Sequence, residues 1–285
     1  MKTKIIAAAA AIACLCSCAA PQQTAEQTAE QTAEPSCTAS PSPTPLCTKP
    51  PQKYDNMSTK GMGWGLVRKK GAAPEVDLKG KKLLEEHNGY YIDESMPKAL
   101  YLTFDEGYEN GFTSKILDVL QSEHVPAAFF VTGPYLKNQP ELIRRMLDEG
   151  HIVGNHTVNH PNLPRQTAET VQKELGSLNG ECEKMYGASM HYMRPPEGEY
   201  SEKVLAVAED MGYKTIMWSF AYKDWDVNQQ KGSDYAYEQI TPYLHDGAII
   251  LLHAVSSDNA GALERVIKFA KEKGYEFRSL DELGR

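Results

Sequence analysis

Beyond Leu15 the sequence has no long apolar run, and it has no surplus of basic charge and almost no cysteine in its body. The one extended apolar stretch, Ile5 to Leu15, is too short to cross a bilayer as a stable anchor. The chain carries 30 Lys and Arg against 38 Asp and Glu, a net charge of -8. It therefore lacks the basic stripes that a nucleic-acid partner requires, and none is expected. Of 6 cysteines, only Cys182 lies in the body, and the absence of any CxxC pair excludes that kind of metal or redox centre. Cys182 falls in a helical pattern and reads as a small buried apolar residue. What is present is ordinary for a globular protein. Hydrophobic residues make up 41% and charged residues 24%, which excludes collagen-like and wholly disordered chains. A length of 285 residues allows one large domain with extensions, or two small ones.

The first segment, 1–18, has the build of a secretory signal: Lys2 and Lys4, then the apolar run. It ends Leu15-Cys16-Ser17-Cys18, which is similar to a bacterial lipobox, with Cys16 an unusual second residue. On that reading Cys18 becomes a lipid-bearing N-terminus and the protein is an extracytoplasmic, membrane-anchored lipoprotein. The alternative is simple secretion after cleavage near Ala19 or Ala20. Residues 19–59 follow as a linker. Gln23 to Glu34 holds three copies of Gln-Thr-Ala-Glu, and Pro35 to Pro51 is rich in Pro, Ser and Thr. Neither can bury a core, so both are expected to be solvated tether. An extracytoplasmic location permits a Cys37–Cys47 disulfide there.

From residue 60 to 285 the composition is globular, and strand-like and helix-like segments alternate. Strands are expected at Ala99 to Phe104, Ala127 to Val131, Ile152–Val153, His191 to Arg194, Tyr213 to Trp218, Gly247 to Leu252 and Tyr275 to Arg278. Helices are expected at Phe112 to His124, Pro140 to Glu149, Thr167 to Tyr186 with Gly187 as C-cap, Ser201 to Met211, Tyr235 to Leu244 and Ala262 to Lys273. Repeated β-α units with short connections predict an α/β fold with a parallel sheet under helices. The unit count approaches that of a (β/α) barrel with one unit irregular; an open doubly wound sheet is the alternative.

Five of the strand-like segments lead into polar residues of catalytic type. They are Thr103-Phe104-Asp105-Glu106-Gly107, His156-Thr157-Val158-Asn159-His160, Arg194-Pro195-Pro196-Glu197-Gly198, Asp224-Trp225 and Leu251-Leu252-His253. In barrels, active sites are assembled from the C-terminal ends of strands. Each residue alone also has a plain structural reading. Asp105 is a possible helix cap, His253 a core histidine, Arg194 a structural ion pair, and Trp225 and Leu251 core residues. His156 and His160 are four apart, a spacing that puts both imidazoles on one side of a helical turn and suits a divalent metal.

Taken in order, the five motifs resemble those of the polysaccharide deacetylases, carbohydrate esterase family four, over the chain from about Gly61 onward. The similarity extends to the subgroup that deacetylates muramic acid on the way to muramic δ-lactam in spore cortex. It is carried by Trp64-Gly65-Leu66, Tyr108 to Gly111, Lys231 to Tyr237 and His253 to Ala260. The resemblance implies a distorted (β/α) barrel that hydrolyses N-acetyl groups on peptidoglycan glycan strands. It implies Asp105 as general base and Arg194 as the residue that orients it. It implies His253 as general acid, with Asp224 as its partner. The backbone N–H of Glu197 is the implied oxyanion donor, and Trp225 and Leu251 wall the acetyl pocket. It also implies a divalent metal, with zinc the first expectation, held by His156, His160 and the residue after the base. That residue is normally Asp and in the muramic subgroup often Asn; here it is Glu106, which keeps the charge, adds a methylene, and either reaches the metal or points away.

Three other functions compete. One is an N-acetylglucosamine deacetylase acting on peptidoglycan or chitin-like chains, with an acetyl-xylan esterase a more distant option of the same class. A second is a glycosidase using Asp105 and Glu197 as its two carboxyl groups. The third is a silent wall-binding lipoprotein.

Overall fold

Alternation of buried apolar runs with amphipathic stretches builds this chain, and the computed structural model describes residues 53–284 of it. The signal, Cys18, Cys37, Cys47 and the linker up to residue 52 lie outside the described residues. In chain order the strands and helices are β1 (Met62–Gly63), β2 (Leu66–Lys69), β3 (Ala72–Val76), α1 (Leu78–Glu86), β4 (Gly89–Tyr90), β5 (Ala99–Glu106), α2 (Thr113–Glu123) and β6 (Ala127–Val131). They continue with α3 (Gly133–Asn138), α4 (Pro140–Asp148), β7 (Ile152–Asn155), α5 (Ala168–Tyr186), β8 (Tyr192–Met193), β9 (Glu199–Tyr200), α6 (Glu202–Asp210) and β10 (Lys214–Ile216). The last are α7 (Ser233–Ile240), β11 (Ala248–His253), α8 (Ser257–Glu272) and β12 (Glu276–Phe277).

The main sheet runs β11-β5-β6-β7-β8-β10-β4, with β12 beside the start of β5. Every ladder in it is parallel, as the β-α alternation predicts. The two sides of the sheet meet through isolated bridges, Ile92 to Ala248 and Phe220 to Ile250. Leu251 N donates to Phe220 O at 2.9 Å and Asp93 N to Gly247 O at 2.9 Å. The result is a distorted (β/α) barrel, closed by single contacts where a regular barrel has a full ladder. Two short antiparallel pairs, β1–β9 and β2–β3, lie apart from the main sheet.

Period-two alternation along β5 sorts its side chains into two layers. Leu100, Leu102 and Phe104 pack outward with Ile116, Leu117 and Leu120 of α2. Ala99 and Tyr101 point inward with Phe130, Tyr192, Ile216 and Ile249. Cys182 is fully buried in the outer layer, and burial pushes its thiol up to about 11. That makes it inert at neutral pH, as the sequence pattern implies.

Helix ends follow local chemistry. Ser201 accepts from Val204 N to start α6, and Gly187 ends α5 in the left-handed conformation. Three elements depart from expectation. α3 is a single short helix of six residues, too brief to show a hydrophobic period. α7 stops at Ile240 and tightens into a 3₁₀ turn, Thr241–Tyr243, because Pro242 supplies no backbone N–H. α8 begins at Ser257 rather than near Ala262, since its polar first turn is itself buried: Asp258 and Asn259 are 5% and 1% exposed.

Gly247 opens β11 at the barrel seam with φ 70°, and a Cβ there would lie 1.9 Å from Asp93 O. Gly247→Ala is therefore expected to destabilise by at least about 1–3 kcal/mol, the cost of left-handed strain before any clash is counted. Thermal denaturation checks this; an unchanged Tm would contradict the seam.

Candidate active site

The first functional group is built on a buried guanidinium. Arg194 follows β8 and is fully buried, so each of its donors needs a partner. Nη1 donates to Asp105 Oδ1 at 2.8 Å and Nη2 to Thr103 Oγ1 at 2.9 Å. Nε donates to Ile216 O at 2.9 Å and Nη2 also to Met217 O at 3.2 Å. Its flat face lies 4.3 Å from the centre of the Phe130 ring. Burial alone would push the Asp105 carboxyl up. The Arg194 guanidinium beside it outweighs that and holds it below the usual carboxylate range. Asp105 is thus an ionised base in a dry setting, fixed through one oxygen.

The second group is an imidazole on a carboxylate. His253 ends β11, and its Nδ1 lies 2.7 Å from Asp224 Oδ1, while its backbone N donates to Asp224 Oδ2 at 2.8 Å. An ionised carboxylate only accepts, so Nδ1 carries the proton and Nε2 is the atom left for the cleft. Burial pulls the imidazole down, but Asp224 more than offsets it and raises His253 above its ordinary value. Asp224 thus shifts the imidazole toward its charged form.

Asp105 and His253 line one cleft of about 510 Å³ together with His160, Glu197, Trp218, Ala221, Tyr222, Lys223, Trp225 and Leu251. Trp225 stands half-exposed at the wall, its ring centre 5.5 Å from that of His253. Glu197 adopts a left-handed φ of 58°, which turns the chain sharply at the rim. Tyr222 also lines the cleft, whereas Tyr90, Tyr91, Tyr135 and Tyr200 do not.

The expected metal triad is not assembled. His156 and His160 do come together, with ring centres 4.9 Å apart. They do so from a loop and not from a helical turn: Thr157 and His160 have φ of 67° and 53°. His156 Nδ1 is 2.8 Å from Arg194 O, and Nε2 is 3.7 Å from Asp105 Oδ2. Burial pushes His156 down to about 4, so it is neutral. Glu106 is the residue that fails to join them. It follows the inward Asp105, so strand alternation turns it to the outer layer. It is fully buried there, and neither carboxyl oxygen has a hydrogen-bond partner among the described residues. Burial, then the charges of Glu109 and Asp105, push its pKa well above the usual range. Among the described residues no three His, Cys, Asp or Glu converge on a point that could hold a metal ion.

The structure also shows participants that the motifs hid. Thr103 opens the first motif and shares the inward face with Asp105, a placement period two alone implies. Tyr222 and Lys223 immediately precede Asp224, and Asn259 lies in the first turn of α8 against Asp224. Nothing in sequence spacing marks these last three.

Because Glu106 is favoured in its neutral form inside the fold, its ionisation opposes folding. Its folded pKa lies above the unfolded one, so the native state loses stability as pH rises above about 4.5. Glu106→Met, which removes the carboxyl with little change in volume, is expected to stabilise on the order of 1–3 kcal/mol at neutral pH, with the gain shrinking in acid. Tm measured against pH tests this; destabilisation at neutral pH would show that Glu106 has a ligand to hold.

Comparison with known proteins agrees with this arrangement. Residues 93–216 match the family model described as polysaccharide deacetylase. The chain is 46% identical over 224 residues to the peptidoglycan-N-acetylmuramic acid deacetylase PdaA of Bacillus subtilis, covering 78% of this chain and 85% of that one. The solved structure of Bacillus subtilis PdaA, a family 4 carbohydrate esterase, superposes with a TM-score of 0.77 over 79% of this chain and 97% of that one. A family 4 carbohydrate esterase from Bacillus anthracis, 42% identical, gives 0.67 over 80% and 97%. A carboxylate paired with a guanidinium and an imidazole paired with a carboxylate, at one mouth of a distorted barrel, are thus set in a chain that belongs to the polysaccharide deacetylases, carbohydrate esterase family four.

Proposed function

We propose that this protein hydrolyses the N-acetyl group of muramic acid residues in peptidoglycan. The observation that carries the reading is the facing pair: Asp105 and His253 line the same cleft, one paired with Arg194, the other with Asp224. Asp105 takes a proton from water as its oxygen attacks the acetamide carbon. The carbonyl oxygen becomes an oxyanion, met by the backbone N–H of Glu197. His253 Nε2 then gives its proton to the amine as the C–N bond breaks, and acetate and a free amino sugar leave. Trp225 and Leu251 enclose the methyl group. Polysaccharide deacetylases are generally metal-dependent. Here the residue expected to complete the site, Glu106, faces the outer layer, so no step is drawn through a metal.

Lys223 supports muramic acid as the sugar. Among the described residues it is the one lysine or arginine that lines the cleft. Muramic acid freed of its peptide carries a lactyl carboxylate that N-acetylglucosamine lacks. The product is the amine from which muramic δ-lactam forms. Acylation of Cys18 would tether the enzyme to the outer face of the membrane, with 19–59 as the reach toward the wall.

Mass spectrometry of peptide-stripped glycan strands tests the reaction. The expected result is loss of acetyl from muramic acid and no new reducing ends, and Asp105→Asn and His253→Ala each lower the rate by about 10²–10⁴. Lys223→Gln is expected to cost about two- to five-fold on that substrate, the value of one exposed ion pair, and nothing on chitin oligomers. Acetate released from chitin oligomers alone would move the reading to N-acetylglucosamine. Membrane fractionation tests the tether: Cys18→Ser is expected in the soluble fraction, and continued membrane association would refute acylation.

A further inference from the structure

Asp224 does not stand on a strand or helix. It is carried by the irregular segment between β10 and α7, yet its side chain is fully buried and must keep one rotamer to hold His253. The first turn of α8 supplies the restraint. Asn259 Nδ2 donates to Asp224 Oδ2 at 2.5 Å and to His253 O at 3.2 Å. Asn259 Oδ1 accepts from the buried Tyr222 hydroxyl. Asp224 Oδ2 and His253 O can only accept, so the amide N–H groups face them and Oδ1 faces the Tyr222 hydroxyl, which then donates. The backbone of the same segment is fastened to the same turn. Gln230 Nε2 donates to Asp224 O and Asp226 O at 3.0 Å each, while Gln230 Oε1 accepts from Ser256 Oγ at 2.7 Å. The Asp258 carboxylate accepts from Lys231 N at 2.6 Å and Gly232 N at 2.9 Å.

We propose that Asn259, oriented by Tyr222, is a positioning residue for the general acid: it fixes Asp224 so that His253 presents Nε2 to the departing amine. The proposal rests on the deacetylase reading above. Asp224 Oδ2 has two donors, His253 N and Asn259 Nδ2, and loses the side-chain one when Asn259 is removed. Asn259 is 1% exposed and is not among the residues that line the cleft. It acts on the proton-delivering step and leaves sugar binding alone. The base half, Asp105 with Arg194, makes no contact with it.

A leaving-group comparison separates this from general loosening of the fold. An amine must be protonated to depart, whereas the 4-nitrophenolate of an activated acetate ester leaves without a proton. Asn259→Ala is expected to lower kcat on peptide-stripped glycan by about ten- to a hundred-fold, part of the contribution of a general acid. KM on the glycan, and turnover of 4-nitrophenyl acetate, are expected to stay within about two-fold, as the intact base half requires. Tyr222→Phe keeps the ring and removes the orienting hydroxyl. It is expected to lower kcat on the glycan by a smaller factor, and Asn259→Leu, which keeps the volume and removes the N–H donors, carries the amide–ester comparison if Asn259→Ala does not fold. Equal losses on amide and ester, or no loss on the amide, would overturn the positioning role. Failure of the unmodified enzyme to release acetate from the glycan would overturn the deacetylase reading itself, which is a different result.

Discussion

A guanidinium sealed inside a barrel needs acceptors for its donors, and Arg194 gains four hydrogen bonds only by drawing three strands together. Its side chain leaves the end of β8, reaches Asp105 and Thr103 on β5, and takes carbonyls from Ile216 and Met217 at the end of β10. β7 lies between β8 and the β5–β6 side of the sheet, so this contact crosses the barrel interior. Breaking a buried pair on one side only leaves an uncompensated charge, at about 3–5 kcal/mol. The same contact sets the chemistry, since it overcomes the burial that would otherwise keep Asp105 protonated. Closure of the fold and readiness of the base are therefore one interaction.

The acid half is built differently. Its imidazole stands on a regular strand, but its carboxylate sits on an irregular segment and depends on α8 for its place. Strand-borne groups are fixed by the ladder, whereas loop-borne groups must be fixed one hydrogen bond at a time. This accounts for the buried polar first turn of α8, which a purely apolar helix face would not need. Glu106 shows the opposite case. It is one residue from the base, yet the two-residue period of the strand places it in the outer layer, without a partner among the described residues. Adjacency in a motif does not bring adjacency in a site when the backbone is extended.

Much of this was legible in the sequence, for identifiable reasons. Parallel strands buried on both faces read as continuous apolar runs, so β5, β6 and β11 stood out, with Asp105 and His253 at or near their ends. Caps such as Ser201 and Gly187 were readable because single residues carry the signal. The two histidines meet on a loop and not on a helical turn, because left-handed backbone at Thr157 and His160 leaves no mark in spacing. Glu106 was expected beside those histidines because motif resemblance outweighed strand alternation, and alternation won. Asn259, Tyr222 and Lys223 could not be found from spacing, because their partners lie across tertiary contacts that only the folded barrel creates.

The most direct test is a crystal structure of the Asp105→Asn variant soaked with a peptide-stripped glycan fragment containing N-acetylmuramic acid. The account places the acetamide carbon between residue 105 and His253, the methyl group against Trp225 and Leu251, and the lactyl carboxylate toward Lys223. A fragment bound elsewhere, or an acetamide turned away from His253, would contradict it.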